Sequence, residues 1–125
     1  MRWGFVVVSV ALVGLATQAG AGVTLERYQQ ARSATDKQVR TLIDSYVAGI
    51  GNGLVASSSY FKINTGQPLF CFPKGVVLNT YNFQAILDKA ARSGRYRRSH
   101  PISAVLTLEF GRLFACTSRK GRPQR

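Results

Sequence analysis

The chain holds one histidine, two cysteines and five carboxylates among 125 residues, and each scarcity removes a class of chemistry. A single imidazole cannot build a multi-histidine metal site, and no CxxC pair is present to hold zinc or to run thiol exchange. The acids Glu26, Asp36, Asp44, Asp88 and Glu109 are scattered, with no spacing that marks a carboxylate pair or a cation loop. His100 is the one candidate base for a serine or cysteine nucleophile. It stands among arginines with no acid near in sequence to orient it, so a capping or surface role is expected. There is no phosphate-binding glycine loop set between a strand and a helix, and no internal repeat. These absences predict a protein that binds rather than catalyses, with no cofactor and no metal.

Long apolar runs are scarce too. The run Phe5 to Leu15 is too short to cross a bilayer as a permanent helix, which takes about 20 residues. It is preceded by Arg2 and followed by the small-residue site Ala19-Gly20-Ala21, the three parts of a secretory signal in order. Residues 1–21 therefore read as a cleavable signal peptide, which predicts export to the periplasm without stable membrane insertion. The remainder suffices for one domain with one modest core.

Acidic charge is as sparse as basic charge is abundant: 17 Lys and Arg against 5 Asp and Glu, a formal net charge of +12. That balance invites an anionic partner. Export sets nucleic acid aside and leaves lipid head groups, acidic cell-wall polymers or an acidic protein surface. The plainer alternative is that many of these charges merely keep the domain dispersed. Cys71 and Cys116 travel together to an oxidising compartment and are expected to pair. Closing a loop of about 46 residues is worth on the order of 4 kcal/mol in the chain-entropy picture. The bridge is therefore expected to be structural.

Thr35 with Gln38 can form a capping box, and Val39, Leu42, Ile43, Tyr46, Val47 and Ile50 follow at helical spacing. This predicts a helix to about Ala56. Gly49 and Gly53 share a face with Leu42 and Tyr46, which suits close approach of another helix, either from within the chain or across a dimer contact. Residues 57–73, with three serines, Asn64-Thr65-Gly66 and two prolines, read as an irregular connection ending in Phe70-Cys71-Phe72-Pro73. A further helix is expected from Asn79 or Thr80 to about Ser93, with Phe83, Ile86, Leu87 and Ala90 on its apolar face. Arg92, Arg95, Tyr96, Arg97 and Arg98 then fall in a loop without apolar periodicity, ending at His100. Arginine and tyrosine are enriched in binding hot spots, so this loop is the candidate partner-binding surface. From Ser99-His100-Pro101 a helix apolar on most of its circumference leads to Cys116 and is expected to be the most buried. Thr24 to Arg32 suits a short helix, and residues 117–125 read as a basic disordered tail. The expected fold is all-α: a small single-domain helical bundle over residues 22–116, closed by one disulfide.

The order Tyr46-x-x-Gly49, Gly53, Phe70-Cys71-Phe72-Pro73, amphipathic helix, His100-Pro101 and Leu113-Phe114-Ala115-Cys116 resembles the Rap/Tai family of type VI secretion immunity proteins. The resemblance covers about Leu42 to Cys116. It implies a periplasmic all-α protein that binds a secreted cell-wall amidase effector, covers its active-site cleft, and forms a homodimer. The shared motifs are disulfide and core positions, so no inhibitory residue carries over. An acid-stress chaperone and a cationic envelope-binding protein are the alternatives. Five carboxylates and one histidine leave the former little to titrate.

Overall fold

The computed structural model describes residues 22–116, in which four helices pack around one core: α1 (Leu25–Arg32), α2 (Lys37–Thr65), α3 (Thr80–Arg92) and α4 (Ile102–Leu113). Two expectations, the signal peptide of residues 1–21 and the tail of residues 117–125, lie outside the described residues. No helix among the described residues is long and apolar enough to cross a membrane.

Each helix start has a local cause. The Thr24 hydroxyl accepts the Arg27 N–H at 3.2 Å, and Asn79 and Asn82 form a reciprocal capping box at the head of α3. At α2 the cap is Asp36, whose carboxylate accepts the Gln38 N–H at 2.8 Å. The Thr35 to Gln38 box is not the one used, because α2 starts one residue later than that box requires and Asp36 takes the N-cap position. Pro101 sits at the N-cap position of α4, just ahead of the first turn.

Helix α2 does not end near Ala56. It continues through Ser57-Ser58-Ser59 to Thr65 and stops at Gly66, whose φ of 79° is the left-handed cap that favours glycine. Two of the three serines are held in it by their hydroxyls, one bonded within the helix and one to the returning chain. Ser59 donates to the Val55 carbonyl at 3.1 Å, and the buried Ser58 hydroxyl holds both the N–H and the carbonyl of Phe70 at 3.0 Å.

The core is formed by Leu25 and Tyr28 of α1, Ile43 and Val47 of α2, Phe83 and Leu87 of α3, and a line along α4 from Ile102 to Phe110. Gly51 is the point of closest approach between α2 and α3: a methyl group there would collide with the Phe83 ring. Gly49 and Gly53, by contrast, have no atom near the place a side chain would occupy. Nothing within the chain explains them. Helix α4 is buried along one face, with Leu108 and Leu113 exposed, so its apolar circumference overstates its burial. Phe110 is the centre of a ring cluster with Phe70, Phe72, Phe83 and Phe114 at centroid distances of 5.0–6.2 Å. The Cys71–Cys116 disulfide closes this cluster, and the Cys71 N–H donates to the Phe114 carbonyl at 2.8 Å beside it.

Candidate partner-binding surface

The connection from α3 to α4 is a loop by secondary structure but is held along its length. The Leu25 and Glu26 N–H groups, unpaired at the head of α1, donate to the carbonyls of His100 at 2.8 Å and Arg98 at 3.0 Å. The Ile102 N–H returns a bond to the Val23 carbonyl at 2.8 Å, completing an isolated antiparallel bridge between Thr24 and Pro101. Gly94, with φ of 73°, turns the chain at the other end. The backbone is thereby fixed before any partner arrives.

Beneath the loop lies Glu109 of α4, a carboxylate only 2% exposed. It accepts from the Tyr96 hydroxyl at 2.7 Å, from Arg95 at 3.1 Å and from Arg112 at 2.7 and 3.2 Å. Burial alone would raise its pKa, but the hydrogen bonds from Arg112, Tyr96 and Arg95 outweigh that penalty and hold it at about 2. The same geometry raises the Tyr96 hydroxyl, first by burial and then through its bond to Glu109. This network clamps the middle of the loop to α4.

The five loop residues singled out from sequence thus divide. Arg95 and Tyr96 turn inward to Glu109, and the Arg98 guanidinium leans on Glu26 at 3.4 Å while staying mostly exposed. Arg92, the last residue of α3, and Arg97 are exposed and make no ion pair among the described residues. His100 accepts the Arg97 N–H at Nδ1, at 3.2 Å, and lies edge-on to Tyr96. Its partner is backbone, as a turn-capping residue requires. Arg112 was not singled out from sequence, although its position one helical turn after Glu109 could have indicated it. A second network links α1 to α3: Asp88 accepts from Tyr28 at 2.8 Å and from Arg32 at 3.1 Å, and burial followed by that contact raises the Tyr28 hydroxyl.

Two other surface features involve α2. A mostly apolar groove of about 390 Å³ runs between α1 and the first half of α2, floored by Val39, Leu42 and Tyr46 and edged by Arg27. The second half of α2 carries exposed Tyr60, Phe61 and Ile63, and its Ser58, Ser59 and Lys62 line a notch of about 300 Å³ beside Cys71. Among the described residues no group of three or more His, Cys, Asp or Glu could hold a metal ion. Comparison with protein-family models, with curated proteins and with solved structures finds no match to this chain.

Proposed function

We propose that the chain is a periplasmic immunity protein that binds a type VI secretion peptidoglycan amidase and inhibits it by covering the active-site cleft. The observation that carries this reading is the pinned basic loop of residues 93–101. Inhibition by covering requires a surface that pays little ordering entropy on binding, and this loop is already tied to α1 by backbone bonds and to α4 through Glu109. It presents Arg97 and Arg98 outward next to Arg92, a cationic rim suited to an acidic cleft edge. The family resemblance supports the same reading, since Phe70-Cys71-Phe72-Pro73 and Leu113-Phe114-Ala115-Cys116 meet at the disulfide and its ring cluster. A binding role also suits His100, which is occupied by a backbone N–H and has no carboxylate partner among the described residues. The acid-stress chaperone is disfavoured because Glu109, the most buried carboxylate described, stays ionised until pH approaches about 2.

The test is to purify the mature protein with the amidase encoded beside its gene and to follow peptidoglycan cleavage. Stoichiometric complex formation with loss of cleavage is the expected result. Absence of a complex, together with salt-sensitive binding to anionic vesicles, would replace this reading with the cationic envelope-binding one.

A further inference from the structure

We propose that the groove between α1 and α2 is a binding site for a single-chain anionic amphiphile, a medium-chain fatty-acid carboxylate, whose alkyl chain lies along the groove and whose head group meets Arg27. The proposal does not depend on the immunity reading. The two helices double back on each other through the short turn of residues 33–36, so Val23, Arg27 and Ala31, spaced four apart, face Val39, Leu42 and Tyr46. Tyr46 stands at the Val23 end. Its hydroxyl accepts the Val23 N–H at 3.4 Å, and a side chain at Gly22 would strike the same oxygen. The opposite end lies at Ala31 and Val39, beside the turn. Leu42 is 64% exposed between the two ends, so the apolar floor is open to a ligand along its length.

The dimensions suit one alkyl chain. From Val23 to Ala31 the wall runs about 12 Å at 1.5 Å per residue. An apolar cavity of about 150 Å³ takes the six carbons of benzene, so the groove's volume of about 390 Å³ takes on the order of ten to fifteen carbons. A two-tailed lipid would overfill it. An apolar body with a few polar groups gathered at one end is also the layout by which pockets fix the direction of a ligand.

The charge at the groove selects an anionic head. Arg27 on its lip is exposed and makes no ion pair among the described residues. Helical side chains lean toward the N-terminus of their helix, which directs this arginine to the Val23 and Tyr46 end. There the Tyr46 hydroxyl, which accepts from Val23, keeps its own hydrogen to donate. No carboxylate competes for either group. The chain has five, and the two nearest in sequence to the groove walls are held elsewhere, Glu26 by Arg98 and Asp44 by Gln84 of α3. At the opposite end Arg40 donates to the carbonyls of Ala34 and Thr35 at 2.8 and 3.2 Å, so it offers no second head-group site. A carboxylate on Arg27 thus completes a charge that nothing within the chain answers, while its tail covers the apolar floor.

The experiment titrates decanoate, below its micelle-forming concentration, into the disulfide-bonded protein and follows the backbone amides by NMR. One saturable site is expected, with shifts gathered in residues 23–31 and 39–46. Decanol, the same chain without the charge, should bind roughly tenfold more weakly, and Arg27→Gln should bring decanoate down to that level while leaving decanol unchanged. Val39→Ala trims the floor without adding charge and should weaken both probes alike. Leu42→Asp, at an exposed position, should abolish decanoate binding with helix content kept. Absence of a saturable site would overturn the proposal, as would binding indifferent to Leu42→Asp and Val39→Ala. Equal affinity for decanoate and decanol would overturn the role given to Arg27. Binding to anionic vesicles without a decanoate site would reduce the matter to surface charge and overturn the groove as its seat. Protection of the groove amides from hydrogen exchange before any probe is added would give the groove to a protein segment, and that result too would overturn the proposal.

Discussion

Replacing Glu109 by glutamine keeps the shape of the side chain and removes its charge, so it isolates what the buried carboxylate contributes. Its pKa lies at about 2 against an ordinary 4.5. At about 1.4 kcal/mol per unit, that displacement corresponds to roughly 3 kcal/mol in favour of the folded state. The Arg95 and Arg112 partners are 44% and 45% exposed, so water and salt screen part of it. About 2 to 3 kcal/mol is therefore expected. The sign follows from the direction of the shift. Because the folded-state pKa is depressed, the contribution is complete above about pH 4.5 and disappears as pH falls toward about 2. Urea unfolding of the disulfide-intact domain, wild type beside Glu109→Gln, should show the full gap near neutral pH and almost none near pH 2. Hydrogen exchange should report earlier opening at residues 94–98 in the variant, since the loop loses its clamp. A stability gap that does not narrow on acidification would refute the reasoning, because the effect would then be packing and not charge.

Three further outcomes are expected. Cys116→Ala should lower stability by about 2 to 5 kcal/mol, and thiol alkylation with mass spectrometry should find no free cysteine in the wild type. Gly51→Val should cost about 1 to 3 kcal/mol by driving a side chain into Phe83, measurable as a lowered urea midpoint; an unchanged midpoint would mean that α2 and α3 do not approach there. Arg92→Ala, Arg97→Ala and Arg98→Ala combined should slow association with the proposed amidase partner and flatten its salt dependence while leaving the melting temperature nearly unchanged. Wild-type rates at low and high salt would remove the loop from the interface.

Periodicity and capping determine what can be read along a single helix. The start of α3 at Asn79 and Thr80, its buried Phe83, Leu87 and Ala90, and the short α1 with its Thr24 cap all follow from neighbours within one or two turns. The pairing of Cys71 with Cys116 was legible too, since a chain with two cysteines and the pattern of a secretory signal is expected to make one intramolecular bridge. The end of α2 was not legible, because three serines and an asparagine read equally well as a turn. Phe70, brought beside Ser58 by the return of the chain, helped hold them helical. Nor could sequence tell Gly51, which a ring presses against, from Gly49 and Gly53, which nothing within the chain touches. The basic loop shows the same division. Its composition was plain from residues 92–100, but the turning of Arg95 and Tyr96 inward depends on Glu109, which lies 13 or more residues away and on another helix. Local order is decided by short-range sterics and hydrogen bonds that the sequence displays directly. Which charged or small residue becomes internal depends on the meeting of segments distant in sequence, and that only the tertiary structure decided.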